Sequence, residues 1–224
     1  MPSLQPREFL HQLRSLTERS GTCLIFDEVV TGFRAGKRGA QGHFGLKADV
    51  ATYGKVLGGG MNIGVIAGKR QFMDSLDGGT WQFGDESVPE VGVTYFAGTF
   101  VRHPPALVAA RAVIRHLKSQ APDFYSRVND RTSRLVREIN QHAERIQAPL
   151  RLTHFASVVR AEFTQEFPLS ELLFAHLREK GVHIWDHRPI YMTAAHSDED
   201  VDFVVKAFTE SLDEMREGEV LPRA

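Results

Sequence analysis

With 224 residues and 42% hydrophobic content, the chain carries enough apolar material for one large or two small cores, which excludes intrinsic disorder. Its 27 Lys and Arg against 28 Asp and Glu leave a formal charge of -1, so nothing draws it to nucleic acid or an anionic membrane surface. The lone Cys23 excludes an internal disulfide framework and reads as a buried thiol in a reducing compartment.

The chain opens on Phe9, Leu10, Leu13 and Leu16 at helical spacing, followed by a break at Gly21 and the apolar run "CLIF", which is a helix leading into a strand. No apolar stretch approaches the ~20 residues of a membrane-spanning helix, and "MPSLQPREFL" has no signal-peptide core, so the expectation is a cytoplasmic protein. "KADVATYGK" and "IGVIAG" supply two further short strands, unalternating as buried strands are. From Gly78 to Gly98 a Gly- and aromatic-rich stretch reads as a long ordered loop.

Pro104 and Pro105 then start a long helix through "ALVAARAVIRHLKSQ". A second helix follows in "DFYSRVNDRTSRLVREINQHAERI", a strand in "LRLTHFASVVRAEF", a helix in "LSELLFAHLREKG" that ends at Gly181, and short strands in "VHIW" and "IYMTA". Ser197 reads as the N-cap of the last helix with Asp200 three residues on, which makes the acidic cluster there a cap rather than a metal site. The division expected is residues 1–104 and 105–224, with the boundary at the helix that starts near Pro104.

Two stretches carry the chemistry. In "DEVVTGFR", Asp27 closes the first strand and falls at its carboxyl end, the edge where open α/β sheets place ligands; the competing reading is a cap for the following turn. Glu28 beside it reads as a local hydrogen-bond or salt-bridge partner. In "ATYGKVLGGG", Lys55 is bracketed by Gly54 and by Gly58, Gly59 and Gly60, which permit close backbone approach. A phosphate-binding P-loop is excluded because Asp49 and Val56 stand where glycine and Ser or Thr are required, and consecutive glycines do not make a dinucleotide fingerprint. A nucleophilic amine that condenses with an aldehyde remains, and its pairing with a carboxylate suggests pyridoxal phosphate, whose ring nitrogen needs such a partner.

"LIFDEVVTGFR", "GAQGHFGLKADVATYGKVLGGGMNIGVIAG" and "AGTF" resemble the class III, fold-type I pyridoxal-phosphate aminotransferases, in the subgroup of glutamate-1-semialdehyde aminomutase. The order and spacing of Asp27 and Lys55 resemble that family's as well. "WQFGDESVPEVGVTYFAGTFVRHPPALVAARAVIRHLK" and "LREKGVHIWDHRPIYMTAAHSDEDVD" are similar to aminotransferase domains of hybrid polyketide and nonribosomal peptide synthases. The resemblance spans about residues 8 to 217. It implies the C-terminal part of the α/β large domain, joined to an α+β C-terminal small domain.

The resemblance further implies that Asp27 pairs with the pyridine nitrogen, Val29 packs on one ring face, and Lys55 bonds the cofactor and carries protons. Thr99 of "AGTF" is implied to hold the cofactor phosphate at the neighbouring subunit's site in a homodimer. Plain core packing for Val29 and a helix or turn cap before Pro104 for Thr99 stand beside these readings. The implied partners are a small-molecule amino donor and a β-ketoacyl chain on an acyl carrier protein, with no nucleic acid and no membrane. A 2,1-aminomutase and a non-catalytic assembly module are the other readings. The family's glycine-rich phosphate turn and ring-stacking aromatic do not occur upstream of Asp27, so the chain reads as the C-terminal half of an enzyme. Its ten histidines show no ligand spacing, so metal binding is not expected. His43, His103, His187 and His196 read as loop residues. Trp81, Phe83, Tyr95 and Phe96 read as loop packing or as a tunnel wall.

Overall fold

The computed structural model describes residues 5–76, 78, 79, 81–90, 92, 94 and 97–222. They divide into two compact units, residues 1–120 and 121–224.

In the first unit, helix α1 (Pro6–Arg19) starts on a proline whose fixed φ suits a first helical turn. Its buried side differs from the apolar stripe expected: Phe9 and Leu16 are half exposed, whereas Arg14 and Thr17 are buried. Arg14 turns inward to Asp49, whose carboxylate accepts Arg14 Nη1 at 2.9 Å and the Leu24 amide at 2.8 Å and pairs with Lys69 Nζ at 2.6 Å. A buried carboxylate needs partners of this kind.

Strand β1 (Ile25–Asp27) leads through a crossover containing helix α2 (Gly39–Phe44) to β2 (Val50–Tyr53). The two strands are parallel, with Ile25 opposite Val50, Phe26 opposite Ala51 and Asp27 opposite Thr52; such a pair needs a crossover of this kind. A 3₁₀ turn over Lys55–Gly58 follows, then β3 (Val65–Gly68) returns antiparallel along β2, with Tyr53 opposite Val65. Helix α3 (Arg70–Met73) begins directly after Lys69.

The three strands are less buried than expected. Ile25 is 59% and Ile66 47% exposed, while Leu24, Ala48, Ala51 and Leu57 are buried. Short strands in a three-stranded sheet bury one side here and leave apolar side chains showing on the other. Cys23 is half-buried rather than fully buried.

Helix α4 (Pro104–Ser119) packs on the Lys55–Gly58 turn, and the helix placed at the junction by the sequence therefore belongs with the first unit. Gly59 makes this possible: its φ is +57°, and a Cβ there would lie 2.8 Å from Val113 Cγ2 of α4. Tyr95 and Phe96 lie outside the described residues.

The second unit is an antiparallel sheet of β4 (Leu150–Phe155), β5 (Val158–Phe163) and β6 (Ile190–Tyr191), in that order, with helices α5 (Phe124–Arg145), α6 (Leu172–Glu179) and α7 (Asp198–Glu217). Leu135, Ile139, Leu152, Val159, Leu173, Leu177, Phe208 and Leu212 form its core. The stretch read as one strand over 150–163 is a hairpin, because Ala156 adopts φ 50° and reverses the chain. Residues 182–185 do not form the strand expected, although Val182 and Ile184 are buried. The cap of α7 is as expected: the Asp200 amide donates to Ser197 Oγ while the Ser197 amide donates to the Asp200 side chain.

The Asp49 junction sets a pH dependence. The Lys69 hydrogen bond first, then the Leu24 amide and Arg14, hold its carboxyl well below the usual carboxylate range against the opposing effect of burial. A depressed carboxyl contributes stability that is complete above its unfolded pKa of about 4 and is lost as the pH falls through the lower folded value. Asp49→Asn should cost about 3 kcal/mol at neutral pH by removing the charge that Arg14 Nη1 and Lys69 share, which leaves Arg14 with Glu18, 3.1 Å from its Nε, as its carboxylate partner. The difference from the unchanged protein should shrink as the pH drops below about 4. Urea unfolding at a series of pH values measures both, and a pH-independent difference would remove Asp49 as the acid-sensitive group.

Candidate functional site

The parallel pairing of β1 with β2 brings the two chemistry-bearing stretches to one place. Asp27 is the last residue of β1 and sits opposite Thr52, one residue before the end of β2. Lys55 follows two residues after that strand ends. Both residues therefore lie at the carboxyl edge of the parallel pair, where α/β sheets bind ligands.

Asp27 is exposed, yet one of its oxygens is held. Oδ1 accepts the Val29 amide at 2.9 Å and the Thr52 hydroxyl at 3.1 Å. Oδ2 accepts no hydrogen bond among the described residues. The amide contact is the turn cap that sequence reading offered as an alternative, and it coexists with a free oxygen that faces solvent.

Lys55 adopts φ 44°, a left-handed conformation that costs a non-glycine residue on the order of 1 kcal/mol. Its side chain is exposed and makes no ion pair among the described residues. Gly54 before it is buried, and a Cβ there would meet the Ile63 carbonyl oxygen at 3.1 Å and Val29 Cγ1 at 3.5 Å. Val29, half-buried, thus packs beside the backbone that presents Lys55.

Glu28 is the fixed point behind this edge. It is 1% exposed, and its carboxylate accepts the Thr31 hydroxyl and the amides of Ala40 at 3.0 Å and Gln41 at 2.9 Å. It therefore ties the start of the crossover to α2, in keeping with the local role expected of it. Gly39, with φ +61°, is required for that approach, since a Cβ would fall 2.5 Å from Glu28 Oε2. Burial first and the Glu28 charge second push the Tyr53 hydroxyl above its ordinary value. By strand alternation Tyr53 points away from Thr52. It lines a hollow of about 590 Å³ with Lys37, Arg38 and Lys69 that contains neither Asp27 nor Lys55.

The remaining residues are more scattered. Thr99 is exposed in the turn that precedes α4 and makes no side-chain hydrogen bond among the described residues, so its hydroxyl does not cap α4. Phe83 is 98% exposed, which removes loop packing as its account. His43 lies in α2 rather than in a loop. His187 meets Phe174 edge-on, and His196 Nδ1 accepts the Thr193 amide. No group of three metal-ligating side chains occurs among the described residues. The residue that sequence reading passed over is Thr52; its only sequence signal was a place three residues before Lys55, and the register that sets it against Asp27 is a tertiary fact.

The family model "Aminotransferase class-III" matches residues 3–212. A glutamate-1-semialdehyde 2,1-aminomutase of Alkaliphilus oremlandii is 34% identical over 93% of the chain and 48% of that protein's length. Among solved structures, a β-phenylalanine aminotransferase from Variovorax paradoxus superposes with TM-score 0.79 at 25% identity, over 97% of this chain and 50% of its own. A transaminase with PLP bound gives TM-score 0.79 at 25% identity, over 95% and 49%. The chain thus spans about half the length of the relatives it matches, and over that half it has the fold-type I architecture. By sequence match and by fold, the chain belongs to the class-III aminotransferase family.

Proposed function

We propose that the protein containing this chain uses pyridoxal phosphate to transfer an amino group to a ketone. The observation that carries this reading is the edge at which, among the described residues, Asp27 keeps one oxygen free and Lys55 presents a primary amine with no ion pair from a strained backbone. These groups fit the cofactor: a carboxylate suits a ring nitrogen, an amine suits an aldehyde, and the Thr99 hydroxyl, which makes no hydrogen bond among the described residues, suits a phosphate. When bound, pyridoxal phosphate supplies an electrophilic aldehyde and a protonated ring that takes up an electron pair from the substrate carbon.

The chain's own residues then have separable tasks. Asp27 Oδ2 would accept a hydrogen bond from the protonated ring nitrogen and keep the proton there by charge. Val29, packed against Gly54, offers an apolar surface to one ring face. Lys55 Nζ would bond the aldehyde carbon and, when released, would carry a proton between the cofactor's C4′ and the amine-bearing carbon of the substrate, the α-carbon of an α-amino donor or the β-carbon of a β-keto acceptor. Thr99 Oγ1 donates to the phosphate, at the site of the second subunit in a homodimer.

The acceptor proposed is a β-keto acyl chain on an acyl carrier protein, with a small-molecule amino donor. It rests on the synthase-like stretches around "WQFGDESVPEV" and "GVHIWDHRPIY", and the β-phenylalanine aminotransferase, named for a β-amino acid, supports β-position chemistry. The 2,1-aminomutase is the second reading, favoured by the curated relatives that carry that name. Incubating the full-length protein with glutamate-1-semialdehyde and separately with a β-keto thioester plus amino donor distinguishes the two by product. Formation of neither product would leave the assembly-module reading.

Borohydride reduction of the cofactor-loaded protein should fix a pyridoxyl group on Lys55, located by peptide mass, and Lys55→Ala should abolish it. A label on Lys47 or Lys69 would overturn the assignment. Arginine at 55 should fail as well, since a guanidinium stays protonated.

Asp27→Asn keeps the shape and removes the charge that supports the ring proton, so turnover should fall by about two orders of magnitude or more. Turnover within about twofold of the unchanged protein would reduce Asp27 to its cap of the Val29 amide.

A further inference from the structure

Asp27 is held by two donors on one oxygen, and only one of them is backbone. The Val29 amide comes from Asp27's own turn, so it holds the carboxylate wherever that turn goes. The Thr52 hydroxyl comes from the neighbouring strand, at the register position opposite Asp27. It is the one side chain among the described residues that references the carboxylate to β2, the strand that also delivers Lys55. Thr52 is half-buried and makes no other side-chain hydrogen bond among the described residues.

We propose that Thr52 is a positioning residue for the cofactor's ring nitrogen. By occupying Asp27 Oδ1 it leaves Oδ2 as the oxygen offered to the ring, and it fixes the plane of the carboxylate relative to the strand that carries Lys55. This rests on the reading of Asp27 and Lys55 given above. Losing the hydroxyl leaves the carboxylate free to rotate about its last bond, so it spends less time aligned with the ring N–H and the charge that retains the ring proton acts from farther away. That moves the proton off the ring nitrogen, so Thr52 supports the protonated ring without touching it.

The test uses the full-length holoprotein loaded with pyridoxal phosphate labelled with ¹⁵N in the ring. The reporter is the ¹⁵N resonance, which separates protonated from unprotonated ring nitrogen independently of turnover. Thr52→Val is nearly isosteric and favours a strand, so it removes the donor with little else; Thr52→Ala removes the same donor should the valine fold poorly. Either should shift the resonance part of the way toward the position seen in Asp27→Asn and weaken cofactor binding roughly fivefold, as expected for one partly exposed hydrogen bond. Thr52→Ser should restore both. An unmoved resonance and unchanged affinity in the valine and alanine variants, with a clear shift in Asp27→Asn, would overturn the role of Thr52 and leave the site reading intact. An unmoved resonance in Asp27→Asn would overturn the site reading and Thr52 with it.

Discussion

The parallel pairing of Ile25–Asp27 with Val50–Tyr53 is the constraint on which the site depends. Parallel strands start and end together, so residues far apart in sequence arrive at one edge when each closes its own strand. Asp27 closes its strand, and Lys55 follows two residues after the end of its own. A register slip by one residue would turn Asp27 to the other face of the sheet and set Phe26 opposite Thr52. The Asp49 junction opposes such a slip at the other end, because it binds α1, the residue before β1 and the residue after β3 at the same carboxylate.

Three carboxylates in this unit show how surroundings separate roles that the residue types alone do not. Asp49 is buried and faces two cations, so it serves as a structural charge junction. Glu28 is buried and meets a hydroxyl and two amides, so it fastens a crossover. Asp27 is exposed and half-occupied, and it alone has an oxygen to offer. Adjacent in sequence, Asp27 and Glu28 point to opposite sides of the chain as a strand residue and its successor do. That alternation gives one of them to the solvent edge and the other to the interior.

The two units differ in how they close their apolar surface. The second unit encloses a core in which Ile139, Val159, Leu173 and Phe208 are wholly buried, and it caps its last helix on both partners of a reciprocal pair. The first unit leaves Ile25, Ile66 and Leu16 showing, a pattern that in soluble proteins accompanies surfaces where other chain packs. The edge that carries Asp27 and Lys55 is open in the same way, since both residues are exposed. The relatives, about twice as long, carry as much chain again as the part described.

The sequence by itself determined the family and the type of most elements. An acid after an apolar run and a lysine among glycines are local features, and local features survive without knowledge of the fold; so do Pro104 at a helix start and Ser197 with Asp200 at another. Tertiary structure decided what depends on neighbours distant along the chain. It turned Arg14 of α1 inward to Asp49, split 150–163 into a hairpin at Ala156, and assigned α4 to the first unit through Gly59. It also set Thr52 against Asp27. Periodicity describes what a segment presents, whereas the partner it meets is fixed by register and packing, and those are properties of pairs of segments rather than of either one.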